Sequence, residues 1–172
     1  MATKLTNYDG SVTMTPARFV QPETVDELRA ILADDDAYPG PVRALGSFHS
    51  LTGCPTSRGT IVSTPALKAM REPDRDAMTF TAQAGVELIE AAQFLRERGL
   101  QFILNIEIGN MTVGAAACCH SKDALDGVGF GQVSSYVTGV KWVTPDGELA
   151  EASEEEDRDL LRFVRSATVC AA

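Results

Sequence analysis

Two short apolar runs with a capped amphipathic helix between them constrain this chain more than any other feature. Residues 17–20 read Ala-Arg-Phe-Val and end at Gln21-Pro22. Thr24 then opens a helix, with Glu27 three positions on at the spacing of a capping box. Val25, Leu28, Ile31 and Leu32 recur on one face at helical period. A polar run at 34–36 and the Pro39-Gly40 pair stop the helix. The next apolar run, residues 41–45, completes a βαβ unit.

The remaining pattern is less regular. Residues 60–63 read as a strand after the Arg58-Gly59 turn, and residues 78–83 alternate apolar and polar like a half-buried strand. Residues 86–98 read as a helix with Ile89, Ala92 and Leu95 on one face, basic residues in its last turn and Gly99 as its cap. A short strand is expected at 102–104, and a Gly/Ala-rich stretch runs from 109 to 117. Residues 136–143 pair with 148–150 across the turn Thr144-Pro145-Asp146-Gly147. A last helix begins at Ser153 with Leu160, Leu161 and Val164 as its apolar face, whereas residues 1–16 read as irregular. The fold class is therefore α+β (mixed α/β), without the G-x-G-x-x-G turn of the usual dinucleotide fold.

At 172 residues the chain is long enough for one domain, or two small lobes, with a sizeable core. Its charge of −9 includes no sustained basic stripe, which argues against nucleic acid. The excess is local: seven carboxylates stand against one guanidinium, Arg158, between Glu148 and Asp159. The bland reading of that run is a solvated helix start favoured by the helix dipole. No apolar run is long enough to span a bilayer, and the first residues lack a signal-peptide stretch. The four cysteines, two of them adjacent, suggest neither a disulfide framework nor a zinc knuckle. A reducing cytoplasm is the simplest compartment.

Three segments carry chemistry. Val42-Arg43-Ala44-Leu45-Gly46-Ser47-Phe48-His49-Ser50 is a strand entering a turn rich in small and hydroxyl residues. Such a turn aims N–H groups at phosphate, and His49 adds a nucleophilic nitrogen. Taken alone, it reads better as a surface turn with a solvated histidine. The stretch from Ile108 to Ala117 lets backbone approach a ligand closely, with Asn110 and Thr112 as polar atoms, or simply packs tightly. Cys118, Cys119 and His120 form a metal or nucleophile cluster on paper, but adjacent ligands fit one tetrahedral site poorly, and buried thiols are the simpler reading.

In order along the chain these pieces resemble the PCMH-type FAD-binding domain of the vanillyl-alcohol oxidase flavoproteins, closest to the aldonolactone and alditol oxidase branch. The resemblance rests on Pro22, Val25, Glu27 and Leu28, on the loop 42–50, on Ala84-Gly85 and on Arg98-Gly99-Leu100. It continues through Thr112-Val113-Gly114 and Tyr136-Val137-Thr138-Gly139-Val140 before the Pro-Asp-Gly turn. It implies two lobes, about 17–66 and 76–166, that hold FAD between them. Ala44, Leu45, Gly46, Ser47, Phe48, His49 and Ser50 would wrap the diphosphate, with His49 as the covalent flavin ligand. Gly109, Asn110, Thr112, Val113 and Gly114 would lie along diphosphate and flavin. Ser121, Lys122 and Asp123 would flank the groove, and Gly139 and Val140 would approach the adenosine.

The pattern also departs from the family. Ala115 and His120-Ser121 stand where members often carry a second glycine and a His-Gly pair, and Asn110 replaces the cysteine of doubly linked members. A single histidyl link is therefore implied. The C-terminal match ends at Ser166, residues 167–172 diverge, and the family's final FAD-contacting strand and substrate domain do not follow. The expectation is a C-terminally truncated FAD-binding domain of an oxidoreductase acting on CH–OH groups, with a sugar-derived or alcohol substrate once a substrate domain is supplied. A non-catalytic FAD module or inactive product is the alternative, and a metal-binding protein the weakest one. No nucleic-acid, membrane or metal partner is expected, and oligomeric state is open.

Overall fold

A computed structural model of the protein describes residues 3–104, 108–119 and 131–166. The described residues divide into two units, one of residues 3–67 and 141–151, the other of 68–140 and 152–166.

The first unit begins with a hairpin where an irregular segment was expected. Strands β1 (Leu5–Thr6) and β2 (Thr13–Met14) pair antiparallel. Next come β3 (Arg18–Val20), α1 (Val25–Leu32), β4 (Val42–Leu45) and β5 (Thr60–Ser63). The last of these lies between the other two strands in a parallel sheet of order β3-β5-β4, with Phe19 and Arg43 both opposite Ile61. Every β5 residue is buried, as a central strand covered on both faces must be, and this is why its sequence does not alternate. Its polar side chains find partners: Thr60 Oγ1 donates to the Pro39 carbonyl at 2.9 Å, and Gln21 Nε2 donates to Ser63 Oγ at 3.4 Å. Met14, Leu45 and Ile61 form the core cluster, with Leu5, Phe19 and Phe48 packed against it.

Thr24 caps α1 as expected, its Oγ1 accepting from Glu27 N at 3.1 Å. The Glu27 carboxylate reaches one residue further back than in a capping box and accepts from Glu23 N at 2.8 Å. Arg29 Nε on the same helix donates to the Gly147 carbonyl at 2.9 Å, so the hairpin tip belongs to this unit. Gly147 has φ +81°, and a Cβ there would sit 2.8 Å from the Arg29 carbonyl oxygen.

The second unit opens with residues 68–83, which pair through isolated bridges, Met70 with Ala82 and Asp74 with Thr79. The expected strand at 78–83 is thus a loose ribbon turning at Met78, and the expected strand at 102–104 is absent from the described residues. Helix α2 (Leu88–Arg96) closes at Gly99, whose φ is +70°. Ala91 and Leu95, one turn apart, are its buried positions, whereas Ile89 is 59% exposed; the inward face is rotated from the expected one. Helix α3 (Val113–Cys118), a 3-10 turn (Val133–Tyr136), the hairpin strands β6 (Gly139–Val143) and β7 (Leu149–Ser153), and α4 (Arg158–Ser166) follow. The last helix starts five residues later than expected. Ser153 Oγ accepts from Glu155 N and Glu156 N in a turn, and Asp157 caps the helix by accepting from Leu160 N at 3.1 Å. Among the described residues no helix is long and apolar enough to cross a membrane.

Ile61 is fully buried at the centre of the first core. Truncating it in Ile61→Ala is expected to cost about 2–5 kcal/mol, read as a shift in the midpoint of chemical denaturation.

Candidate functional site

The loop 46–50 leaves the C-terminal end of β4, the end of a parallel sheet where α/β proteins place ligands. Ala44 and Leu45 are the last two strand residues before it. Leu45 is buried, and its carbonyl accepts from Thr64 N at 2.9 Å and from Thr64 Oγ1 at 3.3 Å. Gly46, Ser47, Phe48, His49 and Ser50 are all half-buried. Phe48 adopts φ +54°, a left-handed conformation costly for a side chain with a Cβ. Its ring packs on the Met14, Leu45 and Ile61 cluster, and that burial offsets the strain.

His49 Nε2 is buried and has no hydrogen-bond partner. Such atoms are rare in folded proteins and cost about 1–3 kcal/mol. The His49 ring lies against that of Tyr8, with centroids 5.4 Å apart and planes tilted by 50°. The carbonyl of the next residue, Ser50, accepts from Asn7 Nδ2 at 3.0 Å. Neither Asn7 nor Tyr8 stands out in the sequence. The signal that marks them is the Asn7-Tyr8-Asp9-Gly10 turn, rich in residues that reverse the chain.

In the second unit the segment 108–114 is fastened to residues 84–89. Leu88 N donates to Met111 O at 2.9 Å, Ile89 N to Gly109 O at 2.7 Å, Val113 N to Val86 O at 2.7 Å and Gly114 N to Ala84 O at 2.9 Å. Thr112 is buried and caps α3, its Oγ1 accepting from Ala115 N at 3.3 Å. A Cβ at Gly114 would stand 2.8 Å from Ala84 Cβ, and one at Gly109 would stand 3.3 Å from Ile89 Cβ. These glycines therefore serve close packing within the chain. Gly139, at the start of β6, differs: a Cβ there would make an ordinary contact, 3.6 Å from Ala152 O. Val140 follows it in the strand, and Asn110 lies in the fastened segment.

Ser121, Lys122 and Asp123, and His120 of the metal alternative, lie outside the described residues. Cys118 and Cys119 are half-buried free thiols whose pKa values burial pushes up, which disfavours the thiolate a metal needs. Among the described residues no three His, Cys, Asp or Glu side chains are grouped to hold a metal.

The sequence model of the FAD binding domain family matches residues 16–153, most of the chain. The chain belongs to that family. L-gulono-1,4-lactone dehydrogenase of Mycobacterium tuberculosis is 26% identical to this FAD-binding domain over 88% of the chain and 35% of its own length. Alditol oxidase of a Streptomyces species is 26% identical over 92% of the chain and 37% of its own length. Mitochondrial L-galactono-1,4-lactone dehydrogenase of Brassica oleracea is 24% identical over 94% of the chain and 26% of its own length. Among solved structures, a chitooligosaccharide oxidase superposes with a TM-score of 0.81 at 20% identity, covering 94% of the chain and 35% of the oxidase. The fold is thus that of a PCMH-type FAD-binding domain, and FAD is its cofactor. The chain spans about a quarter to just over a third of the length of these relatives. The partnerless nitrogen of His49, in a loop at the ligand end of the sheet, fits such a group.

Two measurements test this packing. Gly114→Val is expected to destabilise the protein by about 1–3 kcal/mol, whereas Gly139→Ala should stay within about 0.5 kcal/mol of the parent, both read by denaturation. The second concerns Glu90, whose carboxylate accepts from Lys68 Nζ at 2.6 Å and from Glu87 N at 3.0 Å. The Lys68 ammonium and then the Glu87 N–H hold Glu90 below the usual carboxylate range. Its contribution to stability is therefore complete above that range and is lost as the pH falls through its lowered folded-state pKa. Glu90→Gln should flatten that part of the acid-unfolding curve.

Proposed function

We propose that this FAD-binding domain serves a flavin-dependent oxidoreductase that oxidises a CH–OH group of a sugar-derived lactone or polyol. The support is the family match over residues 16–153, together with relatives named as lactone dehydrogenases and an alditol oxidase. Bound FAD would supply the two-electron acceptor for that oxidation.

The residues of the chain would divide the work of holding it. The backbone N–H groups of 46–50 and the hydroxyls of Ser47 and Ser50 would meet the diphosphate. His49, with one buried nitrogen that has no partner, would offer the imidazole for a covalent link to the flavin. Gly109, Asn110, Thr112, Val113 and Gly114 would present a second stretch of fixed backbone, and Gly139 and Val140 would approach the adenosine. Substrate contact falls to a further region or a partner chain in this reading, since the relatives are about three times as long as the stretch they share with this chain.

Reconstitution with FAD tests the cofactor role, and acid precipitation tests the link. The protein is expected to turn yellow and to keep colour in the acid pellet. His49→Ala should still bind FAD but release all of it into the acid supernatant. A preparation that stays colourless with excess FAD would sink the whole reading, and colour released by acid from the parent protein would remove the covalent role alone.

A further inference from the structure

We infer that the N-terminal hairpin positions His49, with Asn7 fixing the backbone beside it and Tyr8 setting the tilt of its ring. The inference rests on the reading of His49 as the residue that meets the flavin.

An imidazole is ordinarily oriented by a hydrogen bond to one of its nitrogens, which also selects the tautomer. His49 Nε2 makes none, although it is buried. Nε2 therefore does not orient the ring, which leaves a share of that task to what surrounds it and to the backbone that carries it. Phe48, on one side in sequence, is anchored by its ring in the core at a strained φ of +54°. On the other side the Ser50 carbonyl is held by Asn7 Nδ2 at 3.0 Å, from 43 residues away in the chain. The Tyr8 ring then lies 5.4 Å from that of His49.

Asn7 is built for this task. It is 4% exposed. Its Nδ2 also donates to Ser11 Oγ at 3.2 Å, its Oδ1 accepts from Val12 N at 3.0 Å, and its own N donates to Val12 O at 3.0 Å. One side chain thus closes the hairpin turn and ties it to the loop. Tyr8 is the opposite case. It is 66% exposed, so little of its surface contributes to the core, and its ring contacts that of His49. Removing Tyr8 separates the effect on His49 from an effect on folding.

The full chain with FAD, as parent, Tyr8→Phe, Tyr8→Ala and Asn7→Ala, provides the test. Total bound FAD, the acid-stable fraction and the imidazole NMR signals of His49 are measured, the last assigned with His49→Ala because the chain has two histidines. Tyr8→Phe keeps the ring and is expected to behave like the parent. Tyr8→Ala and Asn7→Ala should retain bound FAD and shift the His49 signals. Their acid-stable fraction should fall by about tenfold or more, the scale on which small misplacements slow a reaction. A merely structural hairpin would lower stability without moving the acid-stable share of bound flavin. A parent-like acid-stable fraction in Tyr8→Ala overturns the inference, even if Asn7→Ala fails to fold. If the parent itself holds no acid-stable flavin, the covalent reading falls, and the inference that rests on it falls with it.

Discussion

The first unit depends on the backbone ladder of β5. Thr60, Ile61 and Val62 are paired on both sides, Ser63 pairs with β4, and all four are buried, so their polar groups must be satisfied within the sheet and its surroundings. β3 and β4 meet that requirement by pairing parallel to it. The direction of β4 then decides where the chain leaves the sheet, and the loop 46–50 emerges at its C-terminal end. Ile61, at the middle of the strand, adds the apolar contact with Met14 and Leu45 on which Phe48 rests. The strained loop residue and the buried strand are parts of one packing arrangement.

The second unit fixes its backbone by another route. Residues 84–89 and 108–114 form no extended strand pair, yet four hydrogen bonds and the close approach of Gly114 to Ala84 hold them together. The acidic run is similarly occupied by local bonds. Ser153 and Asp157 accept from backbone N–H groups, and Glu154 pairs with Arg165 at 2.7 Å. The charge excess therefore shapes a turn and a helix start.

What was legible follows from how local each signal is. Helix α1 combines a periodic stripe with a side-chain cap, and both lie within a dozen residues. The loop 46–50 and the Thr112-Val113-Gly114 segment were visible because small residues and a histidine stand out at fixed positions. The hairpin at 5–14 was not, since strands of two residues give no alternation to read. Alternation at 78–83 was misleading because its pairing is confined to single bridges. Ser153 and Asp157 are both able to cap a helix, and only the fold selects Asp157. The fold also gives Asn7 and Tyr8 their importance, by bringing them to a loop far along the chain.

The bond from Arg29 to Gly147 joins residues 118 positions apart, while the remaining described part of that unit is complete by residue 67. A ribosome finishes the sheet of the first unit long before it delivers the hairpin tip that α1 grips. The nascent first unit must therefore wait, with only Asp26 of its own helix beside Arg29, while most of the second unit is synthesised. The early-made part thus gains this contact only once the late-made hairpin is available.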